Sequence, residues 1–179
     1  MTQPAAMPGE PTAAEDIARI IRVDHAGEYG AKRIYEGQLA VLGKAPAAKE
    51  IRHMADQEQR HLDVFDQMVR DRGVRPTALS PVWHLAGFAL GAATAMLGPK
   101  AAMACTVAVE EVIDEHYRAQ IEALGDTEPE LKAALIEFRD NEIEHRDTAL
   151  AQGGDNAPPL MTAAIKAGSR LAIWLSTRL

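Results

Sequence analysis

Cysteine is almost absent: Cys105 is the only one in 179 residues. One thiol excludes an intramolecular disulfide and any thiolate metal cluster, and it suits a reducing compartment. Aromatic residues are scarce at 4%, although apolar residues reach 47%, with Ala and Leu prominent. Sheets draw on aromatic and β-branched side chains, so this balance points to packed helices. Positive charge is short as well. Against 26 Asp and Glu stand 19 Lys and Arg, a formal net charge of −7. Phosphate backbones want a basic surface, so nucleic acid is not an expected partner. The opening stretch MTQPAAMPGEPTAAED holds no Lys or Arg and no long apolar core, so it is not read as a secretory signal. Residues 1–14 are expected to form a flexible lead-in and 15–179 a single domain.

Charge is missing from an internal stretch too. From Pro76 to Val109 the one formal charge is Lys100. The apolar run Val82 to Leu97 falls short of the roughly 20 residues that span a bilayer. It is expected to be a buried or interfacial helix, opened by Ser80 as cap and Pro81 at the first helical position. Gly87, Gly91 and Ala95 form a small-residue face that permits close contact, within the bundle or at a dimer interface. Four long helices are predicted around it. The first follows a Thr12–Glu15 capping box and runs to Gly43; the second covers about Ala47 to Arg72. The third runs from near Lys100 to Leu124, and the fourth opens on a Thr127–Glu130 box and ends before Gly153. Residues 160–179 carry Lys166, Arg170, Arg178 and no acid, and read as a basic amphipathic helix.

The chemistry lies in an internal repeat. Glu28 is followed at +7 by Tyr35, at +10 by Gln38 and at +15 by Gly43; Glu110 is followed at the same intervals by Tyr117, Gln120 and Gly125. Each copy then supplies D-x-E-x-x-H-x-D: Asp56, Glu58, His61, Asp63 and Asp140, Glu142, His145, Asp147. Residues three apart share a helix face, so Glu58 with His61, and Glu142 with His145, can each reach one metal ion. Glu28 and Glu110 complete the set from the remaining helices. Such a constellation belongs to ferritin-like di-iron four-helix bundles, here all-α and built from two repeated hairpins. Two divalent ions would balance four inward carboxylates, and oxygen with imidazole donors suits iron or manganese better than structural zinc. Glu50 and His53 repeat the spacing but lie about 80° round the helix from Glu58 and His61, and are read as surface.

Other residues surround this core reading. Gln57 and Asn141, four residues before the histidines, could orient the rings, as could Asp56 and Asp140. Tyr35 and Tyr117 are candidates for groups beside the metals or for packed core. His25 and His116 read equally well as partners of the ligands or as satisfied polar residues. Cys105 reads as a small core residue.

The segments DHAGEYGA (Asp24 to Ala31), DQEQRHL (Asp56 to Leu62), ACTVAVEE (Ala104 to Glu111) and FRDNEIEH (Phe138 to His145) together resemble the demethoxyubiquinone hydroxylase family of ubiquinone biosynthesis. The resemblance runs from about Ile17 onward. It implies that Glu28, Glu58, His61, Glu110, Glu142 and His145 bind two irons, with Glu58 and Glu142 bridging. It implies hydroxylation of a demethoxyubiquinol ring with O₂ as co-substrate, the reductant being NADH or the quinol itself. A polyprenyl quinol substrate implies an apolar entrance, for which Trp83, Leu85, Phe88, Leu90, Met96, Leu97 and Trp174 are candidates. The implied setting is peripheral, on the cytoplasmic face of a bacterial-type cell membrane, with a homodimer and a lipid-binding accessory protein as potential partners. The competing reading is a ferritin-like iron store or ferroxidase, which would share the ligands.

Overall fold

Thr12 opens the first helix as its spacing predicts: its Oγ1 accepts the Glu15 N–H at 3.2 Å, and its own N–H donates to Glu15 Oε2 at 2.7 Å. The computed structural model describes residues 12–179, folded as α1 (Ala13–Leu42), α2 (Ala48–Asp71), α3 (Ser80–Met96), α4 (Pro99–Leu124), α5 (Pro129–Ala151) and α6 (Pro159–Ser176). Among the described residues there is no strand. The lead-in expected over 1–14 lies outside the described residues as far as residue 11, and its last three residues belong to the cap and first turn of α1.

Two predicted starts differ. α5 begins at Pro129, and Thr127 Oγ1 donates back to Leu124 O at 2.7 Å instead of capping forward. Proline, with no N–H and a fixed φ, takes the first helical position, so the Thr127–Glu130 box is not needed. Ser80 sits inside α3 rather than capping it, and its Oγ donates to Thr77 O at 2.9 Å. Helix ends fall where glycine predicts them. Gly73 (φ +62°) and Gly125 (φ +54°) take the left-handed region that lets the chain leave α2 and α4.

Each hairpin of the repeat carries one added helix. α1 and α2 form one hairpin with α3 packed on α1; α4 and α5 form the other with α6 packed on α4. The α1–α3 contact is the closest, because Gly87 and Gly91 face backbone. A Cβ on Gly91 would overlap the Ile34 carbonyl, and one on Gly87 would lie 2.8 Å from Gly30 O. The small-residue face therefore serves the bundle and is not available to a second copy. α6 is held differently. Lys166 pairs with Glu111 and Arg170 with Glu115, so two of the three bases in the 160–179 segment tie α6 to α4.

Two apolar clusters fill the bundle's ends. Tyr35, Leu42, Ile51, Met54, Met103 and Ala149 pack in one; Ile21, Phe65, Tyr117, Leu131, Leu135 and Phe138 in the other. Each fully buried large side chain contributes roughly 1.5–3 kcal/mol. The polar site lies between them. Cys105 is buried beside Ala108, Val109 and Ile165, with its thiol pushed up to about 12 by that burial.

Candidate metal centre

Between the apolar clusters the four long helices turn six ionisable side chains inward. Glu28 comes from α1, Glu58 and His61 from α2, Glu110 from α4, and Glu142 and His145 from α5; none is more than 3% exposed. Ligand atoms of Glu28, Glu58, His61 and Glu142 lie within 4.8 Å of one another, as do those of Glu58, Glu110, Glu142 and His145. Glu58 and Glu142 belong to both groups.

Four supporting hydrogen bonds cross from one hairpin to the other. Tyr35 of α1 donates to Glu110 Oε1 on α4 at 2.7 Å, and Tyr117 of α4 donates to Glu28 Oε1 on α1. His61 Nε2 meets Asn141 Oδ1 at 3.0 Å, and His145 Nε2 meets Gln57 Oε1 at 3.1 Å. Gln57 and Asn141 thus brace the histidine of the opposite helix, not the one four residues along their own. An amide oxygen only accepts, so each Nε2 carries hydrogen and each Nδ1 faces the carboxylates. His61 Nδ1 lies 3.2 Å from Glu28 Oε2 and 3.2 Å from Glu142 Oε1. His145 Nδ1 lies 2.8 Å from Glu142 Oε2 and 3.2 Å from Glu58 Oε1.

The electrostatics are those of crowded carboxylates away from water. Burial, reinforced by Glu142, Glu28 and Glu110, pushes the Glu58 carboxyl well above the ordinary range, and burial with Glu142 does the same to Glu110. Glu142 goes the other way: burial opposes its charge, but hydrogen bonds from His145 and His61 pull it down to about 2. Burial likewise opposes a charged His61, yet Glu142 and Glu28 raise it to about 12. Burial, then Glu110, raises the Tyr35 phenol, and burial, then Glu28, that of Tyr117, so both stay neutral donors. Both oxygens of Glu58 and Oε2 of Glu110 are buried with no hydrogen bond, although Glu58 Oε1 is close to His145. Buried oxygens without partners are costly, and cations between the two groups would satisfy them. Two ions fit this oxygen and imidazole set.

A family model described as ubiquinone biosynthesis protein COQ7 matches residues 15–176. The chain belongs to the COQ7 family. It is 57% identical over 175 residues to a protein of Rhodospirillum rubrum named 3-demethoxyubiquinol 3-hydroxylase, covering 96% of this chain and 82% of that one. It is 51% identical over 169 residues to a human protein named NADPH-dependent 3-demethoxyubiquinone 3-hydroxylase, mitochondrial, covering 91% and 78%. A Saccharomyces cerevisiae protein named 5-demethoxyubiquinone hydroxylase, mitochondrial, is 42% identical over 182 residues, covering 91% and 78%.

In this COQ7 chain other expected residues are placed as follows. Asp56 and Asp140 are exposed and touch neither histidine, because two residues before a ligand is about 200° round the helix. His53 is exposed, as its register predicts. His25 bonds Asp66 at 2.8 Å, away from the six. His116 and Gln120 hold Asp24 at 3.1 and 2.8 Å, a buried network one turn from Glu28. Asp24 was missed; its position four residues before Glu28, on the same face, was the available signal. A cavity of about 420 Å³ lies behind the α1–α4 seam, under α3 and α6, with Val23, Trp83, Leu90, Val109 and Ile173 in its wall. Of the seven candidate entrance residues, Trp83 and Leu90 line this cavity. Phe88 is half-buried under the Arg33 guanidinium, while Leu85, Met96, Leu97 and Trp174 are exposed.

Proposed function

We propose that this chain is a di-iron monooxygenase that hydroxylates the ring of a demethoxyubiquinol, as the names of its relatives describe for them. The observation that carries the metal reading is the pair of overlapping four-residue groups joined by Glu58 and Glu142. In this reading Glu28, His61, Glu110 and His145 would hold the two irons together with Glu58 and Glu142, which belong to both groups. The iron pair, when bound, supplies activation of O₂. The chain's own groups do the rest. Tyr35 and Tyr117 fix one oxygen each of Glu110 and Glu28; Gln57 and Asn141 fix the imidazole rings with Nδ1 inward. The ring C–H is replaced by C–OH, and the second oxygen leaves as water after two electrons and two protons arrive from a reduced nicotinamide or from quinol.

The apolar cavity supports a lipid quinol over the iron-store reading. Its volume of about 420 Å³ falls in the range of small-molecule sites, and its wall includes residues beside both Glu28 and Glu110. No helix among the described residues is long and apolar enough to cross a membrane. Exposed Leu85, Met96, Leu97, Leu160, Leu171 and Trp174 support peripheral contact with lipid; the reading places the chain on the cytoplasmic face of the cell membrane, alone or with a lipid-binding accessory protein. Leu85→Glu with Trp174→Glu should reduce partitioning onto anionic vesicles at least tenfold; unchanged partitioning would remove the membrane reading.

The decisive experiment supplies iron-loaded protein with demethoxyubiquinol, a reductant and O₂, and weighs the quinone products. A product heavier by one oxygen is expected, and Glu142→Ala should abolish it. Iron oxidation and retention without quinone product would favour storage instead.

A further inference from the structure

α1 and α4 correspond at the offset set by Glu28 and Glu110, and Tyr35 with Tyr117 and Gln38 with Gln120 obey it. Beside these two glutamates the halves differ in side-chain volume. Gly27 of α1 corresponds to Val109 of α4, Gly30 to Val112, and Ala31 to Ile113. Gly27, Gly30, Ala31, Val109 and Ile113 all line the cavity. Gly27 and Val109 directly precede the two glutamates, and Ala31 and Ile113 follow them by one turn, so these four flank the ligands at the α1–α4 seam. A Cβ built on Gly27 or Gly30 meets nothing within 4 Å. These glycines are therefore not required for close packing, unlike Gly91. The opposite seam is bridged by side chains. There the His61–Asn141 and His145–Gln57 bonds tie α2 to α5.

We infer that Gly27 and Ala31 form the aperture through which the quinol ring passes from the apolar cavity to the site, and that the small residues of α1, not their larger counterparts on α4, set the size of ring admitted. The inference rests on the quinol reading above. Bulk on both sides of the seam would put branched side chains between the apolar cavity and the carboxylates. Removing it from one side opens a slot for a flat ring, while the tail stays in the cavity.

The test installs the α4 residues in α1, as Gly27→Val with Ala31→Ile. Binding of a decyl-tailed benzoquinone is followed by quenching of Trp83 fluorescence in iron-loaded protein, with Trp174→Phe as the common background. Iron content and helical circular dichroism report the fold. The double variant should keep two irons per chain and native helicity, bind the quinone at least tenfold more weakly, and lose hydroxylation in proportion. Adding Ile113→Ala, which returns volume to the seam from the other side, should recover part of the binding; the single change Gly27→Ala should give an intermediate loss. Equal binding and turnover in the native and double-variant chains would overturn the aperture alone. Native protein that neither binds nor hydroxylates a quinone would overturn the quinol reading, and the aperture with it.

Discussion

Asn141→Leu tests the crossing of the two hairpins most directly. The substitution keeps side-chain size but removes the acceptor that His61 Nε2–H meets at 3.0 Å. His61 would keep its contacts with Glu28 and Glu142 yet lose the bond that fixes its ring and tautomer. Loss of such a partner costs about 10- to 100-fold in metal affinity. That is about 1.4–2.7 kcal/mol. Anaerobic calorimetric titration with Fe²⁺ should show one of two binding steps weakened by that factor. The location of the effect is what matters. Asn141 sits on α5, beside Glu142 and four residues from His145, but its bond goes to α2. In a double-mutant cycle the loss should therefore vanish in a His61→Ala background and persist in His145→Ala. If Asn141→Leu cost the same with or without His61, its role would lie within its own helix and the cross-brace would be refuted.

Tyr35→Phe should destabilise the metal-free protein more than Tyr117→Phe. The first leaves Glu110 with no hydrogen bond, whereas Glu28 keeps His61 at 3.2 Å. A loss of about 1–3 kcal/mol is expected for Tyr35→Phe, read by calorimetric Tm; equal shifts would contradict the hydrogen-bond assignment. The metal-free protein should lose stability as pH rises from 5 to 9. Glu58 and Glu110 bind protons more tightly folded than unfolded above 4.5, and His61 does so between 6.5 and about 12. The stabilising contribution of Glu142, held near 2, is already complete above 4.5. A Tm that climbs with pH over this window would refute the crowding of carboxylates. Gly91→Ala should cost about 1–3 kcal/mol by forcing α3 off the Ile34 carbonyl. Gly73→Ala, with no Cβ contact but a positive φ, should cost about 1 kcal/mol from backbone conformation alone. Chemical denaturation compares the pair, and a Gly91→Ala loss no larger than that of Gly73→Ala would remove the close-packing argument.

The six inward side chains were legible because chemistry and helical period coincide: Glu58 and His61, three apart, must share a face, and the second copy repeats them. The helix limits were legible for the same reason, since glycine and proline punctuate an apolar period. What the sequence could not convey is which helix a polar side chain reaches across to. Gln57 stands at the right spacing to brace His61, and local spacing assigns it there; its true partner, His145, depends on how α2 faces α5. Asp56 and Asp140 were drawn in by their place in the motif, although helical pitch turns them to solvent. Lys166 and Arg170 read as free bases because Glu111 and Glu115, on a distant helix, give no local sign of pairing. The cavity was the hardest to foresee, because it is made of missing side chains at Gly27, Gly30 and Gly168, whose room depends on how α1 and α6 pack.

Symmetry separates the two functional readings. Holding two cations requires only what the halves share: two glutamates and a histidine from each, braced across the middle. A store must also pass hydrated ions, which calls for polar walls, since stripping water from a cation against apolar surface is costly. The cavity behind Glu28 and Glu110 is lined instead by Val23, Ala26, Ile34, Leu90, Val109 and Ile173 among others. It also lies on the side where the halves differ in volume and where α3 and α6 add a cover tied by the Trp83 Nε1–H bond to Ser176. An enzyme acting on one ring of one lipid needs such a direction of approach; a store does not. The departure from internal symmetry is thus the feature that a storage protein would leave unexplained.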